Sequence, residues 1–198
     1  MIMDNSYQKR MQRKKEYIDS RINEANIDKG IIVLLTGNGK GKSTSAMGMV
    51  SRALGYNMKV ALVRFLKGDQ QTGEDLFLEN NLNVVSAHME SGFTWDTQDQ
   101  ELDKKRASET WMEAEKFLAD PEIDLVVLDE ITYMINYNYL EEKIILRALR
   151  NRPENQHVVI TGRAASEGLI EASDTVSEVK DIKHAFRANI RAQKGIDL

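Results

Sequence analysis

The sequence of 198 residues contains no cysteine. This absence excludes a disulfide framework, a thiolate metal site and a catalytic thiol, and it fits a reducing compartment. The sequence also has no apolar run long enough to cross a bilayer, and residues 1–4 contain no apolar signal core. We therefore expect a cytoplasmic protein without a membrane partner.

The composition suits one compact domain, or a domain with an arm. Hydrophobic residues make up 41% and charged residues 29% of a chain whose length is typical of single domains, about 100–200 residues. The formal net charge of -4 argues against nonspecific binding to nucleic acid. We find no internal repeat and no low-complexity linker.

A basic segment precedes the rest of the chain. Residues 5–29 are rich in lysine and arginine, while Tyr7, Met11, Ile18 and Ile22 fall near one helical face. We predict a basic amphipathic arm over residues 1–29 and an α/β domain over residues 30–198. The arm is either a solvated terminal helix or a lid that folds over an anionic ligand.

From residue 30 onward the pattern alternates between strands and helices. Strands are predicted at 31–35, 59–65, 83–87, 124–130, 157–161 and 175–179, and helices at 43–54, 73–80, 99–118, 140–150 and 166–173. Continuous apolar runs are typical of strands that are buried on both faces of a parallel sheet. The predicted class is α/β: a P-loop NTPase-like (RecA-like) open, mainly parallel sheet of about six strands with helices on both faces, plus the N-terminal helical arm.

A glycine-rich stretch over residues 36–44, Thr-Gly-Asn-Gly-Lys-Gly-Lys-Ser-Thr, follows the first strand and opens a helix. This order of strand, loop and helix is the context that the P-loop pattern requires, because converging backbone amides and a helix N-terminus bind phosphate. Lys42 would reach phosphate as a catalytic residue, and Ser43 a bound Mg²⁺. The alternative is a flexible turn with two solvated lysines. The predicted nucleotide-binding residues of the loop are Gly37, Asn38, Gly39, Lys40, Gly41, Lys42, Ser43 and Thr44.

The loop departs from the standard pattern at one position. Thr36 occupies the place of the first glycine, and Gly37 comes one place later. We therefore expect the loop to hold its nucleotide unusually. Arg52, on the following helix, would reach either the nucleotide or a neighbouring subunit, unless it is a solvated side chain.

The apolar run over residues 124–130 ends in an acidic pair. Asp129 and Glu130 would reach the carboxyl edge of the sheet, where ligands of open α/β sheets bind. Together with Ser43 they are the predicted ligands of Mg²⁺ or Mn²⁺. The alternative is that the pair caps a helix that starts after Glu130.

Four stretches resemble the ATP:corrinoid adenosyltransferases. They are residues 36–44, the aromatic loop Gly-Phe-Thr-Trp-Asp-Thr-Gln at 92–98, the acidic strand at 126–134, and a tail running from 159–163 through 183–186 to 192–197. The likeness spans nearly the whole chain. Ser43 stands where this family usually has threonine, and it keeps the hydroxyl.

The resemblance implies transfer of the 5′-deoxyadenosyl group from ATP, the co-substrate, to Co(I) of a reduced corrinoid, with release of triphosphate. The corrinoid would be cobalamin, cobinamide or a precursor. The resemblance also implies a homodimer, a reduced flavoprotein as electron donor, and ATP lying reversed relative to most P-loop proteins. Because no proton moves in such an alkylation, Glu130 need not be a general base.

Phe93 and Trp95 are the remaining predicted catalytic residues. Large apolar side chains against the lower corrin face would exclude water and leave cobalt four-coordinate, which eases reduction of Co(II). The alternative is a hydrophobic plug that anchors a loop. The isolated histidines are expected to be structural rather than cobalt ligands.

Two other function classes remain open at this stage. One is a P-loop kinase of a small metabolite, and the other is a nucleotide-dependent binding module without chemistry on ATP. Product analysis separates the three classes, because a kinase yields ADP, an adenosyltransferase yields triphosphate, and a binding module yields neither.

Overall fold

A computed structural model describes residues 3–66, 71–89 and 99–197. Six strands form one sheet in the order β3-β2-β4-β5-β1-β6, and each pair of neighbouring strands is parallel. The strands are β1 Ile32–Thr36, β2 Val60–Arg64, β3 Val84–His88, β4 Leu125–Asp129, β5 His157–Thr161 and β6 Thr175–Glu178. The described helices are α1 Met3–Glu24, α2 Lys42–Gly55, α3 Gly73–Leu78, α4 Gln100–Ala119, α5 Ile131–Asn136, α6 Glu142–Asn151 and α7 Glu167–Ala172, with a 3-10 helix at Ala185–Ala188.

This architecture confirms the predicted α/β class with a parallel, P-loop NTPase-like sheet. Each predicted strand is present, and β5 has the predicted bounds. Within the predicted arm, α1 ends at Glu24. A helix after Glu130, where α5 lies, was only an alternative in the sequence pattern, and the 3-10 helix was not predicted. α5 follows β4 at once because Glu130 adopts a φ of 60° and turns the chain out of the strand.

Apolar residues cover both faces of the sheet, as continuous hydrophobic strands require. In β1, Ile32 and Leu34 face one core, and Val33 and Leu35 face the other. The first core is completed by α4, α5, α6 and α7, through side chains such as Trp111. The second core is completed mainly by α2. Helices packed on both faces therefore fix the sheet, including the edge at which the carboxyl ends of the strands lie.

Polar side chains at the opposite edge, where the strands begin, are paired with backbone groups. Arg152 donates to the carbonyls of Leu149, Gln156 and Gly30 over 2.7, 3.0 and 2.9 Å. The buried Gln156 side chain donates in turn to three carbonyls at the end of α4 and in the loop after it, each over 3.1 Å. These bonds tie the entrance of β1 to α6 and to the loop before β5.

Asp174 continues this network next to β6. It accepts the backbone N–H of Ile32 over 2.9 Å and an ion pair from Lys29 over 2.5 Å. These donors, led by Lys29, lower the pKa of the Asp174 carboxyl below its ordinary range. Lys29 and the Ile32 N–H therefore stabilise the ionised form of the Asp174 carboxyl.

The arm helix α1 is largely exposed from residue 6 onward. From residue 6 to residue 24 every side chain is exposed except Met11, which is partly buried. Its role as a lid stays a prediction. Within the described residues, none of the helices combines the length and the apolar character needed to span a bilayer.

Candidate active site

The carboxyl ends of β1, β2, β4 and β5 surround a cavity of about 630 Å³. The phosphate loop forms its floor, α3 forms one wall, and the segment after β6 reaches over another part. Most lining residues are polar or charged. The lining residues include Asn38, Gly39, Lys40, Gly41, Lys42, Ser43, Thr44, Arg64, Asp75, Asp129, Glu130, Arg163, His184 and Asp197.

The backbone of the phosphate loop is shaped by glycine. Gly37 and Gly41 have φ values of 99° and 111°, in the left-handed region that favours glycine. Helix α2 starts directly after Gly41, and no side chain caps its first N–H groups. These amides and the positive end of the helix dipole are therefore available to an anion in the cavity.

Lys42 is the buried cation of the loop, with a relative exposure of 5%. Its amino group donates to the carbonyl of Gly39 over 2.9 Å. Burial is the main cause that lowers the pKa of Lys42; Glu130 opposes it, Arg163 adds to it, and Asp129 opposes it. A negatively charged group in the cavity would offset this desolvation of the ammonium.

The structure gives a physical reason for threonine in place of the first glycine of the pattern. The hydroxyl of Thr36 accepts the N–H of Ala165 over 3.3 Å and so ties the loop to the segment after β5. Gly37 lies behind the cavity, where a Cβ would come within 2.5 Å of the carbonyl oxygen of Val179. In this loop the residue that must be glycine is therefore Gly37 and not the residue at position 36.

The segment after β6 holds the same loop from the other side. The N–H of Gly39 donates to Val179 over 2.7 Å, and Lys40 pairs with Asp197 over 2.9 Å. His184, whose ring nitrogen accepts the N–H of Phe186, also lines the cavity. The sequence reading used this tail only for its resemblance and did not place it at the phosphate loop.

The acidic pair meets at the cavity, although consecutive residues of a strand point to opposite faces. Asp129 is buried and Glu130 is partly buried. Burial raises the pKa of Glu130, and the charge of Asp129 raises it further, against the effects of Lys42 and Arg163. Glu130 Oε2 is buried and has no hydrogen-bond partner among the described residues.

These donors fit a magnesium ion. Ser43, Asp129 and Glu130 offer oxygen ligands, and the unpartnered Glu130 oxygen is the observation that favours a cation. The described part of the chain contains no cluster of three or more His, Cys, Asp or Glu residues suited to a metal. Mg²⁺ needs no such cluster, since it keeps several waters and substrate phosphates as ligands. Glu130 also stands at the N-cap position of α5, but its side chain makes no capping bond.

Arg64 is a site residue that sequence reasoning missed. It ends β2 in register with Asp129 and forms an ion pair with Asp75 of α3. Burial lowers the pKa of Arg64, and Asp129 and Glu74 counter that effect. The signal in the sequence was a charged residue directly after the apolar run 60–63. We did not use it.

The structure therefore brings together Asn38 to Thr44, Asp129 and Glu130 of the predicted set. Arg52 lies elsewhere, in an apolar cavity of about 220 Å³ that also contacts Ile31 and His157. A nucleotide contact by Arg52 within one chain is thus not supported, and its contact with a neighbouring subunit stays a prediction. Phe93 and Trp95 lie outside the described residues.

The fold and the loop define a protein of the P-loop NTPase-like class. A sequence model of the family described as "ATP:corrinoid adenosyltransferase BtuR/CobO/CobP" matches residues 28–198. The chain is 48% identical over 195 residues to the corrinoid adenosyltransferase of Pseudomonas aeruginosa, covering 98% of this chain and 96% of that one. It is 47% identical to the corrinoid adenosyltransferase of Escherichia coli K12 and 44% identical to the corrinoid adenosyltransferase CobA of Salmonella typhimurium, with 98% of each chain covered.

The chain belongs to the ATP:corrinoid adenosyltransferase family. This confirms the resemblance, and it confirms the predicted enzyme class, a transferase. The family also supports a corrinoid as the substrate.

Proposed function

We propose that this enzyme transfers the 5′-deoxyadenosyl group of ATP to Co(I) of a reduced corrinoid and releases inorganic triphosphate. The observation that carries the proposal is that a buried Lys42 on a phosphate loop lines the same cavity as Asp129 and Glu130. Family membership supplies the corrinoid. The same cavity would hold the triphosphate of ATP, and the ribose end of ATP would point toward the corrinoid.

In this reaction the electron pair of Co(I) attacks the 5′ carbon of ATP. A Co–C bond forms, the C5′–O5′ bond breaks, and its electrons stay on the triphosphate oxygen. No proton is transferred, so the protein must align the two partners and stabilise the departing charge. Lys42 and the loop amides would perform the second task, with Lys40 beside them in its ion pair with Asp197, and no general base is required.

A magnesium ion, for which Mn²⁺ is a substitute, would be held by Ser43, Asp129 and Glu130. When bound, it would neutralise charge on the triphosphate. Burial of Glu130 beside Asp129 favours this arrangement, since burial raises the pKa of the Glu130 carboxyl and a bound cation would offset the cost of its charge. Asn38 and Thr44 would bind the nucleotide through side-chain hydrogen bonds.

The partner proposals rest on the resemblance and on composition. We propose a homodimer that receives electrons from a reduced flavoprotein, and a cytoplasmic location, which the lack of cysteine supports. The arm over residues 1–29 would close over the corrinoid. Deleting the arm should weaken corrinoid binding and leave ATP binding intact. If corrinoid affinity is unchanged, the arm is a solvated terminal helix and not a lid.

The reaction itself is tested by product analysis. The purified protein is incubated with ATP, Mg²⁺ and a chemically reduced corrinoid, and phosphate products are separated. We expect triphosphate and a light-sensitive alkylcobalt product in equal amounts. Formation of ADP, or of no phosphate product, would overturn the proposal.

A further inference from the structure

Thr161 ends β5 between the two acidic residues and is completely buried. Its hydroxyl donates to Asp129 Oδ1 over 2.6 Å and accepts the backbone N–H of Glu130 over 2.9 Å. Among the described residues it is the only hydrogen-bond donor to the Asp129 carboxylate. Thr161 does not line the cavity, so it reaches a ligand only through its neighbours.

The register of the sheet sets up this contact. Leu128 of β4 pairs with Ile160 of β5, so Asp129 and Thr161 are the next residues along two neighbouring strands. A hydroxyl has one proton to donate and lone pairs to accept with. Thr161 uses the proton on the carboxylate of one residue and a lone pair on the amide of the next.

The second bond matters because of the backbone at Glu130. Its φ of 60° is an uncommon value for a residue other than glycine. If β4 continued in extended form, the side chains of Asp129 and Glu130 would point to opposite faces of the sheet. The left-handed turn brings both carboxylates to one cavity, and the Thr161 hydroxyl accepts the N–H of the residue that makes this turn.

We propose that Thr161 is a positioning residue that sets the geometry of the Asp129 and Glu130 carboxylates for a divalent cation. The inference rests on the proposed magnesium site. Thr161 acts on the metal through its two hydrogen bonds, and outer hydrogen-bonding partners of this kind orient the direct ligands. Because Thr161 does not line the cavity, we expect no direct contact with ATP or the corrinoid.

The nearby Thr132 provides a matched control. It is also buried, with a relative exposure of 1%, and its hydroxyl has no hydrogen-bond partner among the described residues. It packs against the backbone next to Thr161, since a Cβ on Gly162 would lie 1.9 Å from its Oγ1. Thr132→Val therefore makes the same chemical change at the same depth without removing a bond to the acidic pair.

The test measures Mn²⁺ binding to the full-length protein with ATP and without corrinoid, by electron paramagnetic resonance, so that no turnover is needed. For Thr161→Val we expect the dissociation constant of Mn²⁺ to rise about tenfold or more. The affinity for metal-free ATP should not change. Thr161→Ser should stay within about threefold of wild type because it keeps the hydroxyl, and Thr132→Val should match wild type.

Wild-type Mn²⁺ affinity in Thr161→Val would overturn the positioning role. An equal loss in Thr132→Val would also overturn it, because the effect would then be one of packing. If wild type itself fails to bind Mn²⁺ with ATP, the magnesium site of the proposed function is wrong, and the inference falls with it. Should Thr161→Val not fold, Thr161→Ala removes the same hydroxyl and carries the same expectations.

Discussion

The two edges of the sheet treat buried polar groups differently. At the amino edge, Arg152 and Gln156 each donate to three carbonyls, and Asp174 holds both a lysine and a backbone N–H. At the carboxyl edge, Glu130 keeps a buried oxygen without a described partner, and burial lowers the pKa of Lys42. Both edges are made by the same strands, so the difference lies in the side chains.

The comparison distinguishes buried polar groups that stabilise the fold from buried polar groups that bind a ligand. Pairing with backbone groups at the amino edge stabilises the native state, because the side-chain N–H groups of Arg152 and Gln156 find carbonyl acceptors, although the neutral Gln156 Oε1 is buried without a described partner.

At the carboxyl edge Arg64 and Lys40 have carboxylate partners. The acidic Glu130, however, keeps an oxygen without a described partner, and Lys42 donates to a carbonyl instead of a carboxylate. This is the arrangement expected where a ligand completes the set. Substitutions at the amino edge should therefore reduce stability, and those at the carboxyl edge should reduce activity.

The largest effect is expected for Lys42→Ala at the carboxyl edge. Removing the cation that faces the triphosphate should reduce kcat by about 100-fold or more, while the fold is retained. Steady-state kinetics with Co(I) corrinoid and circular dichroism check both statements. Lys59→Ala, which removes an exposed lysine paired with Glu122 at the other edge, is the control and should keep normal activity. If Lys42→Ala turns over at a near-normal rate, residues 36–44 do not act as a phosphate-binding P-loop.

The next effect concerns Phe93 and Trp95, which follow β3 in the sequence and lie outside the described residues. Phe93→Ala and Trp95→Ala should lose about tenfold or more in activity when the assay starts from Co(II), since water would regain access to the lower corrin face. With chemically prepared Co(I) the loss should be much smaller. Equal losses in the two assays would assign the pair to binding or folding.

Arg152→Ala tests the amino edge. Three carbonyls lose a charged donor, so the free energy of unfolding should fall by about 2 kcal/mol. For a protein of this size that corresponds to a decrease in Tm of about 6 °C. Thermal unfolding measures the change, and kcat should be unaffected. Arg150→Ala, an exposed arginine on the same helix α6, should leave Tm unchanged, and a drop in kcat for Arg152→Ala without a drop in Tm would break the comparison.

The smallest effect is expected for Glu130→Gln without nucleotide or metal. Because burial raises the pKa of Glu130, the native protein keeps a proton that the unfolded chain has lost. Stability therefore falls as pH rises from the ordinary value of 4.5 toward the raised pKa. Glu130→Gln removes this loss and should raise Tm by about 2–4 °C at pH 8.

At pH 5 the gain in Tm should shrink, because most of the pH-dependent loss has not yet occurred. Thermal unfolding at the two pH values makes the measurement. Glu171→Gln on exposed α7 is the control and should have no effect at either pH. A Tm lower than wild type at pH 8 would show that attraction to Lys42 outweighs burial.

Much of this arrangement was predictable from local patterns in the sequence. Strands at 124–130 and 157–161 were recognisable as continuous apolar runs, and residues 36–44 as a phosphate loop, because each signal is contained in a short stretch. The bonds of Thr161 were not predictable. They depend on β4 lying beside β5 in one register, and no local pattern specifies which strands become neighbours.

Arg64 and Arg52 illustrate the same limit. Both are arginines near apolar runs, yet Arg64 lines the cavity and Arg52 lies in another one. The difference arises because β2 ends at the carboxyl edge, whereas the last turn of α2 lies near the amino ends of β1 and β5. The location of an arginine relative to the cavity can therefore be predicted only when the direction of its strand or helix in the fold is known.

The attachment of β6 and its following segment to the phosphate loop has a consequence for biosynthesis. Ile31 and Ile32, at the start of β1, bond to side chains 126 and 142 positions later, and the loop amide of Gly39 bonds to Val179. A nascent chain that has reached β4 therefore carries the glycine-rich stretch without the partners that shape it. Such distant pairings are slow to form. We therefore expect the phosphate loop to bind nucleotide only after nearly the whole polypeptide has been synthesised.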